Sequence, residues 1–64
     1  SLNALIDEFR LANAKICLGD PASDIATVGE FVGYTDARAF RRAFRRWTGL
    51  SPAEYRRETL GERA

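Results

Sequence analysis

Five arginines crowd into nine consecutive positions: Arg38, Arg41, Arg42, Arg45 and Arg46. Arg56 and Arg57 follow shortly after. A guanidinium is planar, permanently charged and offers its N–H donors in a fixed fork. It engages two acceptors at once, so the chemistry open to such a cluster is bidentate recognition of phosphate oxygens or of the O6 and N7 edge of guanine. Other chemistries lack their parts. The chain has no His, so the common general base and the commonest metal ligand are missing. Glu30 and Glu54 form no catalytic pair, because nothing in the sequence brings them together or raises a carboxyl pKa. The one cysteine, Cys17, makes no internal disulfide and reads as a small core residue. The expectation is therefore a protein that is not an enzyme, with no catalytic residue, metal or cofactor.

The whole-chain numbers conceal this cluster. Sixty-four residues allow one small domain. Ten basic residues against nine acidic leave a formal charge of +1, which as a single figure argues against a nucleic-acid binder. By position the picture inverts. Residues 1–35 carry two basic and five acidic residues, a net −3. Residues 36–57 carry seven arginines and two acids, a net +5, and residues 58–64 add −1. No apolar run is long enough to span a membrane and no signal peptide is visible, so a soluble cytoplasmic domain is expected. At 45% hydrophobic the chain is too apolar to be disordered.

The elements that must position the arginines follow from periodicity and punctuation. Residues 2–18 lack Pro and Gly and read as a helix closed by Gly19, just past its end, with Pro21 beyond. This helix is apolar on two sides. Leu2, Leu5, Phe9, Ala12 and Ile16 cluster on one, and Leu11, Ala14 and Leu18 lie roughly opposite. Such a helix is buried between two partners. That implies a preceding half-domain or a second subunit, and self-association through the first helix is expected. Asp24 then caps a short helix over residues 25–32, with Ile25, Val28 and Val32 inward and Phe31 beside them. Gly29 inside it costs roughly 1 kcal/mol against Ala, offset by close approach of another helix. Gly33 makes a tight left-handed turn.

A third helix is expected over residues 36–47, capped by Thr35, with Asp36 suiting the positive end of the dipole and Gly49 ending it. Phe40, Ala43, Phe44 and Trp47 form its core seam at i, i+3, i+4 and i+7. Measured from that seam, Arg38, Arg42 and Arg45 point to roughly 170°, 210° and 150°, flanked by Arg41 and Arg46 at about 110° and 250°. Adjacent like charges repel by some tenths of a kcal/mol per pair. Neither Asp36 nor Glu54 is expected to neutralise them, so an anionic partner would. Ser51-Pro52 opens a last helix to about Thr59, anchored by Tyr55, with residues 60–64 a frayed tail. The architecture is an all-α four-helix bundle containing a helix-turn-helix: linker helix 1–18, then a subdomain over residues 24–59.

Read in order, Val28-Gly29-Glu30-Phe31-Val32-Gly33-Tyr34-Thr35-Asp36, Phe40-Arg41-Arg42-Ala43-Phe44-Arg45-Arg46-Trp47-Thr48-Gly49 and Ser51-Pro52-Ala53-Glu54-Tyr55-Arg56 closely resemble the AraC/XylS family of bacterial transcription regulators. Arg10-Leu11-x-x-Ala14-x-x-Cys17-Leu18 is similar to that family's linker helix. The resemblance covers about residues 2–57. It implies a DNA-binding domain of two helix-turn-helix subdomains joined by a linker helix, of which the linker and the second subdomain are present here. Gly29 stands where that family more often has Ala. Arg42 sits at its recurrent recognition-helix Arg, and Arg45 at its basic position after the second Phe. An effector or dimerisation domain, usual in the family, is not present in these 64 residues.

On this reading double-stranded DNA is the partner. Arg38, Arg42 and Ala37 face bases, and what is assigned to Arg38 and Arg41 rests on helical geometry, not on the resemblance. Thr35, Arg41, Arg45, Arg46 and Arg56 face phosphates. The competing reading is a helical protein-interaction module, with the first helix docking on a partner and the Arg stripe meeting an acidic surface. Steep salt dependence would mark the first, and binding that persists without DNA the second.

Overall fold

A computed structural model describes residues 1–61. It holds four helices: α1 (Leu2–Leu18), α2 (Ile25–Phe31), α3 (Ala37–Thr48) and α4 (Pro52–Gly61). None is long and apolar enough to cross a membrane.

The core is the meeting of three helices. Ala14 and Leu18 of α1, Val28 of α2, Val32 at its C-terminus, and Phe40, Ala43 and Phe44 of α3 are buried. Leu11, Cys17, Ile25, Tyr34, Trp47 and Tyr55 pack around them. Tyr34 tilts against both Phe40 and Trp47, at ring centroid distances of 5.9 and 6.2 Å, and Tyr55 meets Phe44 edge-on at 5.5 Å. Arg10 lies over the Tyr34 ring at 5.2 Å, tying α1 to the turn after α2.

Local signals end the helices where expected, with small differences. Asp24 caps α2 by accepting from the Thr27 N–H. The turn after α2 is a Schellman motif: Tyr34 N–H donates to Gly29 O at 2.9 Å, and Gly33 N–H to Glu30 O at 3.1 Å. Gly33 has φ +110°, a value that favours glycine. Asp36, not Thr35, is the α3 cap: its Oδ1 accepts the Arg38 N–H at 2.9 Å, so the helix begins at Ala37. Gly19 keeps a right-handed φ of −68°, and Pro21, which cannot continue a helix, stands two residues on. Leu60 and Gly61, expected to fray, extend α4; residues 62–64 of the expected tail lie outside the described residues.

The two apolar sides of α1 fare differently. The Leu11, Ala14 and Leu18 side is packed into the bundle. On the other, Leu2, Leu5, Phe9 and Ile16 are between 63% and 74% exposed. Phe31, expected beside the inward stripe of α2, is instead exposed. With Phe9, Arg10, Asn13 and Val32 it lines a groove of about 180 Å³.

Gly29 sets the α2–α3 distance. A Cβ there would stand 3.0 Å from Cβ, Cγ and Cδ2 of Phe40, which is itself fully buried. Alanine would return about 1 kcal/mol of helix propensity against a contact a few tenths of an ångström too tight. Valine adds two more carbons against the same ring. Gly29→Val is therefore expected to lower Tm by at least about 5 °C, a cost above roughly 1 kcal/mol in a domain this size. Gly29→Ala should shift it far less. Thermal melts followed by circular dichroism read both.

Candidate nucleic-acid interface

The interface is built backwards from the core. Phe40 and Phe44 are fully buried and Trp47 is half-buried, so the azimuth of α3 is locked. Every residue of α3 that is exposed is then an arginine: Arg38, Arg41, Arg42, Arg45 and Arg46. Ala37 and Ala39 in the first turn are half-buried and small, which lets the backbone near a surface. Thr35 is exposed in the turn just before. Arg42, Arg45 and Arg46 flank an open hollow on the same face. The helical-wheel expectation and the structure therefore agree on which five guanidiniums share a face.

One of them has a carboxylate after all. Arg45 Nη1 lies 3.6 Å from Glu54 Oε1, correcting the expectation that Glu54 leaves the stripe alone. Glu54 has a second task. Ser51 N–H donates to Glu54 Oε1 at 2.8 Å, and Glu54 N–H donates to Ser51 Oγ at 3.1 Å. This reciprocal pair is a capping box at the start of α4. The Ser51 backbone N–H holds the Glu54 carboxyl below its ordinary value, helped by the Ser51 hydroxyl and then by Arg45 and Arg57. Spacing could have shown the box, since Ser51-x-x-Glu54 is its signature; the contact with Arg45 required the turn at Gly49, where φ is +82°.

Arg56 is placed elsewhere than expected. Its Nε donates to Leu18 O at 3.2 Å, and its Nη2 to Ser23 Oγ at 2.6 Å. Ser23 Oγ in turn lies 2.7 Å from Cys17 O. The cation thus sits on the C-terminal carbonyls of α1, where the helix dipole favours it. It joins α4 to α1 across 38 residues of sequence, a contact no local pattern announces.

Electrostatically the face is donor-only. A guanidinium has no acceptor and does not deprotonate, and five side by side repel one another in the free state. An array of anionic acceptors is the complementary surface.

The chain matches the model of a helix-turn-helix domain family over residues 1–58. It is 42% identical over 50 residues to the arabinose operon regulatory protein of Escherichia coli, covering 78% of this chain and 17% of that protein. It is 36% identical over 53 residues to the raffinose operon transcriptional regulatory protein RafR of Pediococcus pentosaceus, covering 83% and 19%. The Msm operon regulatory protein of Streptococcus mutans is 33% identical over 58 residues, covering 91% and 21%. The chain thus spans about a fifth of the length of these relatives. No solved structure matches it significantly.

The lowered Glu54 pKa has a sign. Its stabilisation is present above the ordinary value of 4.5 and is lost as pH falls through the depressed one. Glu54→Gln keeps an acceptor for Ser51 N–H but cannot titrate. The variant should be less stable than the parent at pH 6, and the gap should close as pH falls below 4.5 and through the depressed value. Thermal melts across that range check it; a constant gap would contradict the assignment.

Proposed function

This chain belongs to the AraC-type helix-turn-helix family, and on that premise we propose that it binds double-stranded DNA sequence-specifically and regulates transcription in the bacterial cytoplasm. In this reading α2 supports α3, and α3 enters the major groove with its N-terminal half leading. The observation that carries it is the all-arginine exposed face of α3, standing opposite an aromatic seam that fixes its direction. Arg38 and Arg42, one turn apart at the centre of that face, read bases, with the Ala37 methyl beside them. Arg41, Arg45 and Arg46, and Thr35 at the turn, hold phosphates and set the register. Arg56 is left out of this set, because two of its nitrogens already bond Leu18 and Ser23.

The relatives' names describe operon regulators, which supports transcription control as the outcome. Sugar operons recur in two of those names.

The test is duplex binding against salt concentration. Three to five phosphate contacts predict that log K falls with log salt at a slope of about −2.7 to −4.5. Arg41→Ala should flatten that slope by about one on any duplex, whereas Arg42→Ala should lose most on a preferred sequence. Binding unaffected by salt, or absent from every duplex, would contradict the proposal and favour the protein-interaction reading.

The uncovered side of α1 belongs to the same reading as a surface that needs a partner. For the free chain we expect a second copy to cover it at high concentration. Sedimentation should show dimer that Phe9→Ser together with Ile16→Ser removes without loss of helix content. A strictly monomeric profile would contradict it.

A further inference from the structure

The exposed face of α3 carries a narrower message than DNA binding, on which it rests. All five exposed positions on the helix are donor-only. No Asn or Gln is present on α3 to pair with adenine, and no Asp or Glu to accept from cytosine. In the major groove only guanine offers two adjacent acceptors, O6 and N7. Adenine sets its N6 donor beside N7, thymine shows one acceptor and a methyl, and cytosine shows a donor. An approaching guanidinium fork fits the first and meets an N–H head-on at the second. The one carboxylate at the start of the helix, Asp36, already accepts from Arg38 N–H. Were its other oxygen to reach a base, it would select cytosine, which is the same base pair.

Spacing adds a second constraint. Arg38 and Arg42 are four residues apart, about 6 Å along the axis. Base pairs stack at about 3.4 Å, so the two guanidiniums address pairs up to about two steps apart. Arg45 is unequal to them, because Glu54 stands 3.6 Å from its Nη1 and competes for the fork. Arg41 and Arg46 leave the centre line on opposite flanks, toward the two backbones.

We propose that α3 is a guanine reader: Arg38 and Arg42 each grip O6 and N7 of one guanine, in two G·C pairs no more than about two steps apart. Both residues are exposed, so replacing them leaves the core intact.

The experiment recovers duplexes bound by the chain from a random pool, then replaces each guanine of the recovered site in turn by 7-deazaguanine. That base lacks the N7 acceptor and is otherwise unchanged. Two closely spaced positions should each weaken binding by about five-fold or more. Arg42→Ala should abolish the penalty at one of them and Arg38→Ala at the other. Arg42→Gln should move the preference at its position from guanine to adenine. Recovered sites that lack guanine, or in which 7-deazaguanine has no effect, would overturn the proposal while leaving DNA binding in place. Equal, salt-sensitive binding to all duplexes would do the same. Failure to bind any duplex would remove both.

Discussion

The contact on which this structure depends is that between Gly29 and Phe40. A missing side chain on α2 lets a fully buried ring on α3 come to within about a Cβ's breadth of the backbone. Everything that gives α3 its direction is stacked on that approach. Tyr34 leans on Phe40 from the turn, Phe44 follows one turn on, and Trp47 and Tyr55 close the seam. A helix seated so heavily on one side has little freedom to rotate, so its opposite side is a rigid platform. Interiors this tightly packed do not deform gradually. In a chain with few buried residues, a single glycine therefore governs the geometry of a face some 10 Å away across the helix diameter.

Charge is distributed with the same economy. Five arginines share one helix face, and among the described residues a single carboxylate is paired with them, Glu54, which is also bound to the N-terminal amide of its own helix. A sixth arginine, Arg56, serves the opposite purpose. Its cation meets the carbonyl end of α1 and closes the bundle. Arginine thus appears in two roles separated by partner. On α3 it faces solvent with donors to spare, and on α4 its donors are taken up by backbone and hydroxyl oxygen.

Most of the fold was legible because its signals are local. Asp24 and Ser51 announce helix starts, Gly33 and Gly49 announce turns with positive φ, and the i, i+3, i+4, i+7 aromatics announce the buried side of α3. The Arg face was legible as the complement of that seam. What escaped was either ambiguous or non-local. Thr35 and Asp36 are both good caps, and only the backbone of the turn chooses between them. Arg56 to Leu18 and Arg45 to Glu54 depend on how α4 folds back, which no window of sequence contains. Phe31 has an apolar type and a nearly inward phase, yet it ends at the margin of the bundle beside Phe9. The two-sided apolar pattern of α1 did anticipate that one of its sides would find no cover among the described residues.

Two surfaces therefore compete for the role of recognition surface, the arginine face of α3 and the apolar side of α1. They lie on different helices and would respond to different partners, which makes them separable in one titration. The direct measurement is a chemical-shift map of the chain as a duplex carrying a recovered site is added. The backbone amides of the first turns of α3 and the Nε–H signals of Arg38 and Arg42 should move most, with Phe9 and Ile16 little affected. Changes confined to α1, with the α3 arginines unmoved, would contradict this expectation.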